Sequence, residues 1–159
     1  MMKALALIFG AFLISGASCV QCEDGWVEIQ GSCFRFHQDV AMPWQDAVIF
    51  CQDVGAHLAI VVDSDAHRSF YEYILTYGLS GTYWLGGSDL AYEGDWKWAK
   101  DESRIPRGTP FWALHSSILG WTHEPTGGSA ENCLGLDSAR KYYFNDLDCN
   151  LIHHPICMK

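Results

Sequence analysis

The stretch from Glu124 to Cys133, EPTGGSAENC, sets two carboxylates, a proline, a hydroxyl, flexible glycines and an amide beside a cysteine. Eleven residues after Cys133 comes Phe144-Asn145-Asp146, a second oxygen-rich triplet, followed by Cys149. Calcium takes about six to eight hard oxygen ligands from carboxylates, amides, backbone and water. Glu124, Glu131 and Asp146 supply three carboxylates, Asn145 an amide oxygen and Thr126 a weaker hydroxyl. Such an ion keeps positions that two neighbouring sugar hydroxyls can take. The same side chains then serve twice, because carboxylates accept from hydroxyls and the Asn145 nitrogen donates to them. Pro125 is a candidate for a cis bond, which would aim Glu124 and Thr126 at one point. The plainer reading of any one of these acids is a solvated surface carboxylate.

Holding such a loop takes a scaffold. The chain has 159 residues, about one domain's worth, and is 49% hydrophobic and 14% aromatic, enough for a core. Its formal charge of −9 argues against a nucleic-acid binder and against adsorption to anionic lipid. Met1-Met2-Lys3, the apolar run Ala4 to Ile14 and the small residues to Cys19 read as a cleaved secretory signal over residues 1–19, with 20–159 as the mature domain. The alternative is an uncleaved anchor, for which the run is short. Cleavage after Cys19 leaves six of the seven cysteines, an even set expected to form three disulfides in an extracellular protein. Spacing alone leaves about fifteen connectivities open. Cleavage after Ser18 would instead leave Cys19 as an odd thiol able to link two chains.

The elements follow from periodicity. Residues 26–29 and 34–36 alternate around Gln30-Gly31-Ser32 and read as a hairpin. Pro43 opens a helix with Trp44, Ala47, Val48 and Cys51 on one face, and Gly55 stops it. His57 to Val62 reads as a buried strand. Asp63-Ser64-Asp65 caps a second helix whose stripe is Phe70, Tyr73, Ile74 and Tyr77, ended by Gly78. Residues 83–87 and 95–98 read as strand segments. From Lys100 to Trp121 the pattern is irregular, a length that is uncommon unless the loop is functional. Residues 134–136, 142–144 and 155–158 close the fold as short strands. The expectation is one α+β domain with two helices, small antiparallel sheets and a long organised loop.

Taken together, several motifs resemble those of C-type lectin domains. They are Cys22-x-x-Gly25-Trp26, Cys33, Trp44-x-x-Ala47-x-x-x-Cys51, Trp84-Leu85-Gly86 and Trp96-x-Trp98. Glu124-Pro125-Thr126, Glu131-Asn132-Cys133, Asn145-Asp146, Cys149 and Cys157 continue the series. The stretches around GTPFW and EPTGGSAENC are also similar to single-domain secreted lectins of invertebrate innate immunity. The resemblance implies disulfides Cys22–Cys33, Cys51–Cys157 and Cys133–Cys149, the second worth about 4–5 kcal/mol by chain entropy. It implies calcium held by Glu124, Thr126, Glu131, Asn145 and Asp146, and carbohydrate bound by Glu124, Thr126, Glu131 and Asn145. It also implies a candidate auxiliary calcium site at Asp89 and Glu93 together with Glu131, although Asn132 and Gly127 stand where carboxylates would help; the alternative is that Asp89 and Glu93 are turn residues.

Two positions depart from the family pattern. Thr126 replaces the Asn of the mannose-type Glu-Pro-Asn motif and lacks its amide, and Phe144 replaces the Trp of Trp-Asn-Asp. The expected function is calcium-dependent binding of mannose-type or mixed glycans on microbial polysaccharide, with homo-oligomers or dense ligands for avidity. The alternative is a protein-binding, mineral or structural interaction module on the same fold. No enzyme is expected: Glu124 and Glu131 as a glycosidase pair would need an apolar pocket, and the setting is polar and glycine-rich. Among other residues, His153 and His154 read as surface histidines. His115 and His123 lie in the long loop, Trp112 stacks on a sugar or packs the loop, and Trp121 is expected to pack it.

Overall fold

The computed structural model describes residues 21–108, 110–118 and 120–159, so the leader expected over residues 1–19 lies outside the described residues. Val27–Ile29 (β1) and Ser32–Phe36 (β2) form the expected hairpin, reversing through Gln30 and Gly31. Trp44–Asp53 (α1) follows Pro43, whose extended backbone caps the helix, and buries Trp44, Ala47 and Cys51. Ser64–Thr76 (α2) is capped by Asp63, whose carboxylate accepts from the Ala66 N–H at 2.8 Å. Phe70 and Ile74 of α2 are fully buried, and Phe70 meets Phe34 and Phe36 edge-on. Burying each such side chain contributes about 1.5–3 kcal/mol. Tyr77 lies beyond the last helical turn and is 65% exposed, so it leaves the stripe predicted for it.

The strand expected over His57 to Val62 shrinks to His57–Leu58 (β3). Those two residues pair in register with Met158 and Cys157, and Ala59 adds one bond on each side, its N–H to the Ile156 carbonyl at 2.8 Å and its carbonyl from the Gly86 N–H at 2.9 Å. Beyond them the chain leaves the sheet, with Ala59 and Val61 turned inward and Val62 outward.

The remaining strands are Tyr83–Ser88 (β4), Lys97–Trp98 (β5), Leu114–Ser117 (β6), Gly120–His123 (β7), Cys133–Asp137 (β8), Tyr143–Leu147 (β9) and His154–Met158 (β10). The main sheet runs β1-β2-β10-β4-β8-β9, with β3 on β10 and β5 on β4. The β10/β4 pair is parallel and joins what alternation alone presents as separate antiparallel pieces. Gly87 is required in β4, because a methyl there would lie 2.6 Å from both Ile105 and Leu134.

Two clusters of apolar side chains fill the interior, one around Phe70, Tyr83 and Phe144, the other around Trp44, Trp84 and the Cys51–Cys157 bridge. The indole N–H groups of Trp44 and Trp84 donate to the carbonyls of Leu85 and Met42, each at 2.8 Å, so neither is left unpaired in the core. All three disulfides match the expected pairing: Cys22–Cys33, Cys51–Cys157 and Cys133–Cys149. His153 and His154 are half-buried rather than free at the surface. The His153 ring packs on Trp84 at 4.8 Å, and His154 Nδ1 lies 2.7 Å from the Val40 carbonyl.

Candidate functional site

The irregular span after Lys100 carries a small hairpin of its own, β6 paired with β7, which periodicity did not reveal. Its base is stitched to β9. The Ala113 N–H donates to the Phe144 carbonyl at 2.8 Å, and the Ala113 carbonyl accepts from the Glu124 N–H at 2.9 Å. Phe144 in turn donates its N–H to the Phe111 carbonyl at 2.7 Å. Trp112 is buried beneath, packed on Trp96 and Phe144, with its indole N–H on the Pro106 carbonyl. Phe144 fills the place expected of it, fully buried and stacked on Phe111. Glu124 is thereby carried to the edge of the strand that bears Asn145 and Asp146.

The Cys133–Cys149 bridge joins the start of β8 to the chain just beyond β9. In the same ladder Gly135 opposes Asn145 and Leu134 opposes Asp146. Adjacent strand residues face opposite ways. The Asn145 amide accordingly donates to Asp137 Oδ2 at 3.0 Å, while Asp146 Oδ2 accepts from the Gly127 N–H at 2.6 Å. Gly127 admits no side chain, since a Cβ there would collide with the Glu131 carboxylate. One glycine therefore lets Glu131 and Asp146 converge.

Glu124 is 2% exposed, and its bond to Pro125 is cis. The Thr126 hydroxyl donates to Glu124 Oε2. On the other oxygen, Oε1, sits Arg140 at 3.0 Å, with His115 Nδ1 at 3.6 Å. Arg140 also lies 3.6 Å from Asp137 Oδ2. Spacing gave no reason to single out Arg140 or Asp137. The clue available was Arg140-Lys141, a pair of cations just before the strand carrying Asn145 and Asp146.

The carboxylates strain against one another electrostatically. Burial pushes the Asp146 carboxyl up to about 6, against the opposing Gly127 hydrogen bond, and the charges of Glu124 and Glu131 add to the rise. Glu131 is raised as well, by burial first and then by Glu124, with Arg140 opposing. Asp146 Oδ1 is buried without a hydrogen-bond partner. Among the described residues no three His, Cys, Asp or Glu side chains converge as a ready-made metal cage. The donor set nevertheless suits a hard cation: oxygen throughout, mutually repelling carboxylates and one orphaned buried oxygen.

Asp89 and Glu93 stand apart from this group. Asp89 is buried, with Oδ2 accepting from the Gly94 N–H at 2.8 Å and Oδ1 unpartnered; Glu93 is exposed. The Asp89 N–H donates to the Asn132 carbonyl at 3.2 Å, so its turn rests against the Glu131-Asn132 segment. Trp121 does not pack the loop as expected. It is 75% exposed on β7, because the two-stranded hairpin has no sheet behind that face.

Residues 40–159 match the Lectin C-type domain. The chain belongs to the C-type lectin domain family. That family is one of binding modules rather than enzymes. A perlucin-like protein of Mytilus galloprovincialis is 31% identical over 137 residues, 82% of this chain and 78% of that protein. The C-type lectin domain family 17, member A of Homo sapiens is 30% identical over 138 residues, 87% of this chain. This chain spans 32% of that longer lectin's length. Among solved structures, a calcium-independent type II antifreeze protein superposes with a TM-score of 0.69 at 23% identity, covering 90% of this chain and 97% of its own. The C-type lectin fold is thus shared well beyond sequence likeness.

Proposed function

We propose that this chain is a secreted, calcium-dependent lectin that binds mannose-type or mixed glycans on microbial surfaces, in recognition or agglutination. The observation that carries the reading is Asp146, buried beside Glu124 and Glu131 with one oxygen unpartnered. Glu124, Thr126, Glu131, Asn145 and Asp146 would hold the ion, and calcium would supply coordination positions for a pair of sugar hydroxyls. The side chains contribute beyond that. Asn145 spends one of its two amide hydrogens on Asp137 and keeps one for a sugar oxygen. Glu124 and Glu131 accept from sugar hydroxyls. An extracellular setting is supported by three disulfides, which persist in oxidising compartments. One weak site gains useful avidity only from self-association or dense ligand.

A second reading has its own support. Glu124 already has a cation, Arg140, on one oxygen and the Thr126 hydroxyl on the other. A protein-binding or mineral-associated module without sugar affinity would carry such a self-neutralised site. Mannose and galactose resins, run with calcium and then with chelator, separate the two. The lectin reading expects calcium-dependent retention, lost in Asp146→Ala and Asn145→Ala together with calorimetric calcium binding, while circular dichroism stays native. Retention indifferent to chelator refutes the calcium bridge, and no retention on either resin at saturating calcium favours the second reading.

A further inference from the structure

Arg140, the cation on Glu124, also lines an open groove of about 630 Å³. That is within the usual size of small-molecule sites, about 300–1,000 Å³. Trp121, Leu114 and Tyr143 line it, exposed by 75%, 55% and 42%. Arg140 and Lys141 stand along it. Pro110, Lys141 and Tyr143 also line a second hollow of about 380 Å³, which extends the surface to His67, Arg68 and Tyr71 of α2.

The charge along this path is one-sided. The chain carries −9, yet every charged side chain lining either hollow is basic: Arg68, Arg140 and Lys141. Arg68 is engaged by Asp65 and Glu72, and Arg140 by Glu124 and Asp137. Lys141 makes no ion pair among the described residues and is exposed. It sits at φ 56°, followed by Tyr142 at φ 60°, a left-handed pair held by the Tyr142 N–H on the Asp137 carbonyl at 2.8 Å. Those two turns bring Lys141 and Tyr143 to the same rim. Trp121 makes no ring contact with another aromatic among the described residues.

We propose that this groove binds an anionic glycan, a sulfated or uronic-acid chain, with sugar rings laid on Trp121 and Tyr143 and the anion met by Lys141. The C–H face of a sugar ring is apolar and suits an exposed indole or phenol, while the ring's anionic substituent needs a cation at the edge. A neutral peptide would use the aromatic faces and leave Lys141 idle. The site adjoins the carboxylate cluster through Arg140, but Trp121, Tyr143 and Lys141 are not among the proposed calcium ligands, so its occupancy does not require calcium and it stands or falls separately from the reading above.

The test is titration of the full chain with dextran sulfate, polygalacturonate, neutral dextran and poly-glutamate, all in chelator. The expectation is binding of one or both acidic polysaccharides, weakening as salt rises, and none of neutral dextran. Response to dextran sulfate alone assigns the sulfate ester, and to polygalacturonate alone the carboxylate. Lys141→Glu should weaken binding about tenfold, from the repulsion it introduces, and Lys141→Arg should keep it. Trp121→Ala should weaken it about fivefold, the scale of an aromatic contact. Native circular dichroism shows that all three variants fold. Acidic polysaccharide bound only when calcium replaces the chelator, Lys141→Glu and Trp121→Ala both equal to the parent chain, or no acidic polysaccharide bound would each overturn the proposal. Poly-glutamate bound as tightly as the polysaccharides would overturn it in favour of an acidic peptide.

Discussion

At the scale of single residues, Arg140 changes how the carboxylate cluster is understood. It supplies a positive charge from within the chain to a glutamate that is almost wholly buried. Removing one partner of a buried pair leaves the other charge uncompensated. Arg140→Gln should therefore destabilise the calcium-free protein by about 2 kcal/mol, below the range for fully buried pairs because the Arg140 side chain keeps 29% exposure. If calcium binds at this cluster, saturating calcium should recover most of that loss in a denaturant melt, and calcium should bind the variant more tightly than the parent. A loss that calcium leaves untouched would mean that Arg140 and the ion do not share Glu124.

At the scale of elements, what the sequence disclosed depended on whether the signal was local. The helices were readable because Trp44, Ala47 and Cys51, or Phe70 and Ile74, recur at helical spacing beside capping residues. The length of β3 was not, because two residues or six is decided by how far β10 runs alongside. Neither was the β6–β7 hairpin, whose second strand is exposed throughout and bears no alternation between buried and exposed faces. The acids of the site could be picked out by type, since oxygen ligands crowd two short stretches. Their arrangement could not. The contact of Gly127 with Glu131 is local in sequence, but its bond to Asp146 spans nineteen residues, and the Arg140–Glu124 pair reaches across the whole of β8. The link through Ala113 is a backbone matter that no side-chain pattern records.

At the scale of the molecule, stability should depend on pH through buried imidazoles. His37 is 4% exposed with neither ring nitrogen hydrogen-bonded, Nδ1 lying 3.7 Å from Asp39 Oδ1. Burial lowers its pKa below 6.5, the positive charge of Arg35 lowers it further, and Asp39 opposes. His57, His67 and His153 shift the same way, each chiefly through burial. A histidine whose folded pKa is depressed contributes full stability above its unfolded pKa, because the unfolded chain takes up the proton first as pH falls. Through these histidines thermal midpoints should drop as pH is lowered from about 7 through 6.5, while Asp146, raised to about 6, and Glu131 work the other way at lower pH. His37→Leu should shallow that slope; an unchanged slope would show that His37 is not a contributor.

The lone solvent-facing position of Trp121 has an optical consequence. Of the seven tryptophans, Trp44, Trp84, Trp96, Trp98 and Trp112 are buried, and Trp26 is half-covered beneath the Lys159 ammonium at 4.3 Å. Trp121 alone is open to water among them. Acrylamide should quench one red-shifted fraction of the native emission and leave the blue-shifted remainder nearly intact, and Trp121→Phe should remove that fraction. The protein thus carries its own unlabelled reporter at the mouth of the groove, able to register an arriving ligand as a change in colour of its fluorescence.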